Sequence, residues 1–196
     1  IQLEGIVVGK RTHNPYTLPS FILEEECPKS IVREFLGGMF GGDGTSPSLS
    51  KRHPSFAPIQ LGWTTIEKHN STMATTMENM IMLLNKFDIP FTCKKYLSRI
   101  RESKADPQDL KENPRYYFLI STLNNQSLKF ANSIGFRYDI DKTNKLSIAA
   151  SYQRYSDNVK QQHNDVVLTA SKLKDEKGDL YNMEKCSLEA RKIVYA

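Results

Sequence analysis

The chain has 196 residues and a mass of 22.4 kDa, a length typical of one domain with an appendage. Hydrophobic residues make up 39% and charged residues 25%, a composition that excludes an intrinsically disordered chain. No run of about 18 apolar residues is present, so the sequence predicts no membrane span and no membrane partner. A net charge of +5 is compatible with a nucleic-acid partner but does not by itself predict one.

The three cysteines, Cys27, Cys93 and Cys186, are far apart, and none belongs to a C-x-x-C pair. Their odd number and spacing predict neither a disulfide framework nor a zinc site. They indicate an intracellular reducing compartment, with an organelle (mitochondrion or chloroplast) and the nucleus both left open. Because the first residue is Ile1 and not methionine, we interpret the chain as a piece or a processed form of something longer.

The predicted elements begin with an extended lead-in or linker over residues 1–30. Ser30 is expected to cap a helix over residues 31–44, whose apolar residues recur at helical spacing. Strands are predicted over 59–66, 89–101 and 116–121. Further helices are predicted over 71–87, 128–134, 146–162 and 184–196, with a break near Gly178.

This order of helices and strand pairs predicts an α+β fold with an αββαββα core. Its antiparallel sheet is expected to pack helices on one face and to leave the other face free. The predicted organisation is a lead-in over 1–30, a core domain over 31–160 and a helical C-terminal extension over 161–196. The residues predicted to form the core are Trp63, Met73, Met77, Met80, Phe87 and the strand segment 116–118.

Four glycines are concentrated in the segment 36–44, LGGMFGGDG. Each glycine inside a helix costs about 1 kcal/mol relative to alanine, so a helix here needs a reason for them. Gly37 and Gly41, like Gly38 and Gly42, are four residues apart and share a helix face on which another backbone can approach closely. The alternative interpretation is a glycine-rich loop, and the residues alone leave both open.

Asp43 is expected at the C-terminal end of this helix, where the helix dipole disfavours a carboxylate. If a second copy of the helix packs against the first, two such carboxylates meet and require cations between them. Hard oxygen ligands select Mg²⁺, and two such ions about 4 Å apart can clamp the attacking and leaving oxygens of a phosphodiester. Asp43 and Gly42 are the candidate metal-site residues. The alternative is that Asp43 and Gly44 form an ordinary turn.

The segment FLGGMFGGDG resembles the signature of the LAGLIDADG homing endonucleases. Gly38, Asp43 and Gly44 match the third, eighth and ninth positions of that motif, and Asp43 therefore matches its catalytic acid. Gly41 stands where the motif has its first acidic residue, which is a departure. LPSFI before the helix and IGFRYDIDK after the last short helix extend the resemblance over residues 17–160.

The resemblance implies a site-specific endonuclease of intron homing that hydrolyses double-stranded DNA with Mg²⁺. It implies a saddle-shaped sheet in the major groove and two motif helices that meet through Gly37, Gly38 and Gly41. Each motif helix delivers one aspartate to a scissile phosphate. This chain carries one motif and resembles the second half of the two-motif members, so the other half is expected from a homodimer or from a missing upstream segment.

The resemblance also implies a basic residue close to the metal, in the turn after the last short helix. Lys142 matches this position best, and Arg137 is the second candidate. Either cation would stabilise the charge of the transition state or polarise the attacking water. The alternative for Lys142 is a solvated lysine in a polar loop.

Further residues are candidates for DNA contacts through guanine or phosphate. In a strand, Lys95, Arg99 and Arg101 share one face, whereas Lys94 lies on the other face with Tyr96. The full predicted set is Lys51, Arg52, His53, Gln60, Thr64, Lys94, Lys95, Arg99 and Arg101. The alternative interpretation of these basic residues is a solvated charged surface.

Two rival functions stay open at this stage. One is an RNA-binding protein or intron maturase that has lost cleavage, and the other is a structural component of a ribonucleoprotein. Retention of Asp43 and of a nearby lysine favours the nuclease, whereas the absence of a second motif favours the rivals.

Overall fold

A computed structural model describes residues 11–49, 55–97, 114–123, 126–178 and 182–195. The chain divides into two compact units, residues 1–150 and residues 151–196. The helices are α1 (Ser20–Leu23), α2 (Lys29–Asp43), α3 (Asn70–Asn85), α4 (Ser127–Ser133), α5 (Ile140–Lys177) and α6 (Met183–Val194). The strands are β1 (Gly44–Thr45), β2 (Gln60–Ile66), β3 (Phe91–Leu97) and β4 (Arg115–Thr122).

The predicted α+β class is confirmed. The strands form one antiparallel sheet in the order β1-β2-β4-β3, and the elements of the first unit follow the order helix, two strands, helix, two strands, helix from α2 to α4. Side chains alternate across β2, where Leu61, Trp63 and Thr65 are buried and the residues between them are only half-buried. One face of the sheet therefore faces the helices, and the other is the free face.

The core of the first unit lies between the sheet and helices α2, α3 and α4. The predicted methionine stripe of α3 is buried, as are Trp63 and Phe87. Phe40 of α2 meets Phe130 of α4 edge-to-face, with ring centroids 5.1 Å apart. This contact holds α4, and the turn that follows it, beside the glycine-rich half of α2.

The described part of the expected lead-in is folded onto this core and not extended. Leu18 and Ile22, the latter within α1, are buried among the core residues. Helix α2 begins at Lys29 after Pro28, so the prediction that Ser30 caps this helix is wrong. Proline is well suited to a helix start because its φ is already fixed near the helical value.

Helix α5 begins earlier than expected because the side chain of Asp139 caps it. Asp139 Oδ1 accepts a hydrogen bond from the Lys142 main-chain N–H at 2.9 Å, as an N-cap residue does. The helix continues past residue 150 into the second unit and ends before Gly178, whose φ of +64° suits glycine. The predicted break near Gly178 is confirmed.

The second unit pairs the distal part of α5 with α6. Val166, Ala170, Cys186 and Ala190 are buried between the two helices. Asn182 caps α6 by accepting a hydrogen bond from the Lys185 main-chain N–H. Among the described residues, no helix combines the length and the apolar character needed to cross a membrane.

Candidate functional site

Asp43 is the last residue of α2, and strand β1 starts at the next residue, Gly44. The Gly44 N–H donates to the Phe40 carbonyl, and a β-carbon at Gly44 would overlap that same carbonyl. Glycine is therefore required where the chain turns from helix into strand. This turn leaves the Asp43 side chain exposed at the negative end of the helix dipole.

Lys142 lies at this end of α2, although it belongs to the first turn of α5. Its ammonium donates to the main-chain oxygen of Gly41 at 2.5 Å and to that of Gly42 at 3.0 Å. The Lys142 side chain is only 18% exposed. The cation satisfies carbonyls at the C-terminal end of the helix and places a positive charge beside the main chain of Asp43.

Asp139 positions Lys142 from the other side. Its carboxylate accepts from the Lys142 main-chain N–H and lies 3.6 Å from the Lys142 ammonium. The main-chain hydrogen bond from Lys142 lowers the pKa of the Asp139 carboxyl group, and the lysine charge lowers it further. Asp139 is therefore ionised at neutral pH and fixes both the start of α5 and the direction of the lysine.

Arg137, the second candidate cation, contacts α2 at Glu34. Its guanidinium binds Glu34 of α2 through two hydrogen bonds, Nε to Oε2 at 2.8 Å and Nη2 to Oε1 at 3.1 Å. These contacts lower the pKa of Glu34 and raise the pKa of Arg137. Glu34 precedes Asp43 by nine residues, or about 13 Å along the helix. The guanidinium therefore fastens the 135–139 turn to α2, and the geometry favours Lys142 as the cation near Asp43.

The close backbone approach predicted for the glycines is present, but it occurs within this chain. The Arg137 main-chain N–H donates to the Gly37 carbonyl at 3.0 Å, and a β-carbon at Gly41 would overlap the Arg137 carbonyl oxygen. Gly37 and Gly41 are also buried. The prediction that these two residues meet a second motif helix is therefore wrong, because the 135–137 segment already covers them.

The other glycine pair lies on an uncovered surface of α2. Among the described residues, a β-carbon at Gly42 would meet no atom within 4 Å, and one at Gly38 would meet only Tyr138, at 3.8 Å. Ile31 precedes Gly38 by two turns and is 47% exposed. We call the surface formed by Ile31, Gly38 and Gly42, together with the neighbouring Tyr138, the open glycine face. Tyr138 is 96% exposed and has a φ of 61°, which is unusual for tyrosine.

The described residues of one chain do not form a complete metal site. No group of three or more His, Cys, Asp or Glu residues within the described part could hold an ion. Asp43 supplies one carboxylate, and the Gly42 carbonyl that was predicted to join it accepts the Lys142 ammonium instead.

The free face of the sheet carries polar and aromatic residues in three rows of paired positions. The rows are Thr45–Gln60–Ser121–Thr92, Gly62–Leu119–Lys94 and Thr64–Tyr117–Tyr96. Gln60, Thr64 and Lys94, which were predicted to contact DNA, all lie on this face. These three rows contain one lysine and no acidic residue, and a fourth row on the same face pairs Ile66 with Arg115.

Lys95 does not lie on the free face. It pairs with Phe118 on the helix-bearing side, and its ammonium lies 4.4 Å from the centroid of the Tyr116 ring. The DNA contact proposed for Lys95 therefore has no support in this geometry. The other predicted contact residues, Lys51, Arg52, His53, Arg99 and Arg101, fall outside the described residues.

Three residues that shape the site had not been singled out from the sequence. These residues are Glu34, Asp139 and Tyr138. Glu34 binds a residue distant in sequence, Asp139 caps α5, and Tyr138 has an uncommon backbone conformation. The Asp139 cap had a local signal, since aspartate is a common N-cap residue directly before a helical segment. The Glu34–Arg137 pair, 103 residues apart, had none.

Comparisons with known proteins match this chain to short parts of much longer ones. It is 23% identical over 177 residues to the tRNA-splicing ligase RtcB of Methanopyrus kandleri, covering 90% of this chain and 16% of that protein. It is 29% identical over 167 residues to the replication factor C small subunit of Methanocaldococcus jannaschii, covering 84% of this chain and 8% of that protein. The RtcB ligase of Pyrococcus furiosus is 24% identical over 177 residues, with shares of 90% and 16%. No family model and no solved structure matches the chain.

Proposed function

We propose that the first unit is one half of a LAGLIDADG-type endonuclease that cleaves both strands of duplex DNA with Mg²⁺. The observation that carries this proposal is the position of Lys142, whose ammonium binds the Gly41 and Gly42 carbonyls at the end of α2. Asp43 provides an exposed carboxylate at the negative end of this helix, which is suited to bind a metal ion. Lys142 provides a positive charge beside it that can stabilise a negatively charged transition state.

A second motif helix would complete the donor set. Mg²⁺ takes few protein ligands and retains waters, so Asp43 and one equivalent carboxylate are a sufficient protein contribution. The open glycine face lets another helix approach α2, and its Gly42 end is next to Asp43. When bound there, the ion stabilises the attacking and leaving oxygens of the phosphodiester. The residues fit this role only in a homodimer or in a longer two-motif chain.

The free face of the sheet supports a nucleic-acid partner. Its described rows carry Lys94, Arg115 and hydrogen-bonding side chains but no carboxylate, so no acidic group in these rows repels a phosphate backbone. Glu67 and Glu78 lie elsewhere, next to Tyr116 and Cys93 respectively, both on the helix-bearing side. This distribution of charges supports DNA binding through the free face.

The comparisons support a self-contained module. A stretch of similar length matches proteins with two different names, and it covers only 16% or 8% of each. A module carried inside otherwise different proteins agrees with the resemblance to intein-encoded homing endonucleases.

A second candidate function is RNA binding without cleavage, as in an intron maturase. The observation that favours it is the pair of tyrosines on the free face, Tyr96 and Tyr117, because aromatic side chains on an open sheet can stack unpaired RNA bases. The nuclease is preferred because RNA stacking leaves the arrangement of Asp43 and Lys142 without a role.

The test is cleavage of a randomised plasmid library by the assembled protein, with Mg²⁺ and with chelator. Wild type is expected to cut a subset of sites only with Mg²⁺, and Asp43→Asn is expected to lose cleavage by several orders of magnitude while still binding duplex. Asp88→Asn is the matched control, since Asp88 is exposed and asparagine tolerates its φ of 55°. A wild type that cuts no site, or that binds structured RNA in preference to duplex, would contradict the proposal.

A further inference from the structure

We infer that the free face reads A·T base pairs through Gln60, Leu119 and Tyr96. This inference rests on the proposed binding of duplex DNA, and it specifies which base pairs the sheet takes and with which side chains.

The middle of the free face carries one aliphatic and two aromatic side chains between polar ends. Leu119 lies between Gly62 and Lys94, and Tyr117 lies between Thr64 and Tyr96 in the next row. A β-carbon at Gly62 would overlap the Tyr117 hydroxyl, so this tyrosine lies across the glycine. The two rows therefore present a leucine and two aromatic rings to whatever covers the face.

An apolar surface of this kind suits one feature of the major groove. The thymine C5-methyl group is the apolar group displayed there, whereas a phosphate placed on Leu119 would lose water without gaining a donor. Tyr96 is 45% exposed and Leu119 is half-buried, so both can be reached. We assign the thymine methyl contacts to these two residues.

Gln60 supplies the complementary polar contact. Its Nε2 donates to Ser121 Oγ at 3.5 Å, which orients the amide. The amide oxygen and the second N–H are then available as an acceptor and a donor, the pair that matches N6 and N7 of adenine. Guanine is read best by arginine or lysine; Lys94 lies in the middle row, and Arg115, whose Nε is buried, lies beside Ile66 in a fourth row at the end of the face.

The first experiment selects binding sites from a randomised duplex library with the assembled Asp43→Asn protein, which leaves the DNA uncut. With the residues of the free face unchanged, this protein is expected to select sites that have A·T pairs at the positions covered by the sheet. Gln60→Glu is expected to change one selected adenine to cytosine, because glutamate accepts from the cytosine amino group. Gln162→Glu, the same change at an exposed position of α5, is the control and should leave the selected sites unchanged.

The second experiment replaces each selected thymine by deoxyuridine, which removes only the C5-methyl group. Affinity is expected to fall about fourfold per contacted thymine, as for the loss of one buried methyl group. In Leu119→Ser, replacing the thymine that Leu119 contacts by deoxyuridine should no longer lower the affinity, and the same should hold for Tyr96→Ser at the thymine that Tyr96 contacts. Leu188→Ser in α6 is the control and should leave the effect of deoxyuridine unchanged. Two variants are used because Leu119, being half-buried, also contributes to folding.

The outcomes separate the two proposals. Tight duplex binding with G·C-rich sites, or with no effect of deoxyuridine, would overturn the A·T assignment and leave the nuclease intact. Absence of duplex binding at low salt would overturn both.

Discussion

Gly41 packs against the main chain of Arg137, with no room for a β-carbon between its α-carbon and the Arg137 carbonyl oxygen. One residue further along α2, a β-carbon at Gly42 would meet no atom of the described part of the chain within 4 Å. Two adjacent glycines of one motif therefore serve different contacts. Gly41 closes the fold of this unit, whereas Gly42 lies on the open glycine face.

The first prediction compares Gly41→Ala with Gly42→Ala. Gly41→Ala should destabilise the first unit by about 1–3 kcal/mol or more, because the main chain of Arg137 has to move. Gly42→Ala should raise the stability of the separated chain by up to about 1 kcal/mol, the helix preference for alanine. Urea unfolding at a concentration below self-association measures both. Equal effects of the two substitutions would show that the 135–137 segment does not constrain α2.

The second prediction concerns assembly through the open glycine face. Tyr138 is almost fully exposed and lies 3.8 Å from a β-carbon built on Gly38. Tyr138→Asn should weaken association about tenfold or more, because a tyrosine at an interface buries a large area. The free energy of unfolding should change by less than about 0.5 kcal/mol, since the side chain is exposed and asparagine accepts the positive φ.

Sedimentation and fluorescence anisotropy at several protein concentrations measure this association. Tyr155→Asn provides the control, because Tyr155 is 68% exposed and lies on the part of α5 that belongs to the second unit. Association that responds equally to both substitutions would place the interface elsewhere.

The third prediction uses two neighbouring lysines of β3. Lys94 is on the free face and Lys95 is on the helix-bearing face. Lys94→Ala should reduce the slope of log affinity against log salt by about 0.9, the effect of losing one phosphate contact. Lys95→Ala should leave that slope unchanged and lower stability instead, because the ammonium lies over the Tyr116 ring. Similar salt slopes for the two variants would contradict the assignment of the DNA-binding face.

The elements with strong periodicity could be predicted from the sequence. The methionine spacing of α3 and the alternation of β2 placed both elements within one or two residues of their observed bounds. The strand period also separated Lys94 from Lys95, because alternate residues always face opposite ways. It did not tell which of the two lysines faces the helices. That depends on the pairing of β3 with β4, through which Lys95 lies beside the buried Phe118.

The candidate site was less predictable, because its geometry depends on contacts distant in sequence. Lys142 was identified from a resemblance and not from its own surroundings, and its contact with the end of α2 spans about 100 residues of sequence. The roles of Gly37 and Gly41 were mistaken for a related reason. Helical spacing shows that two glycines share a face, but it does not tell whether the approaching backbone belongs to a second chain or to the same one.

The last prediction concerns Lys142. Lys142→Met keeps the length of the side chain and removes the ammonium that binds the Gly41 and Gly42 carbonyls. Cleavage should fall about 10²–10³-fold, the usual effect of losing one group that stabilises transition-state charge, while duplex affinity stays within a few-fold. Stability should fall by about 1 kcal/mol for each hydrogen bond lost.

Lys142→Arg should restore part of the rate because it restores the charge. Lys145→Met, one turn further along α5 where the ammonium pairs with Asp141 at 2.5 Å, is the control and should cut normally. Single-turnover cleavage with Mg²⁺ distinguishes these outcomes from changes in binding. If Lys142→Met loses stability but cuts at the wild-type rate, the lysine only caps α2, and the catalytic assignment fails while the fold stands.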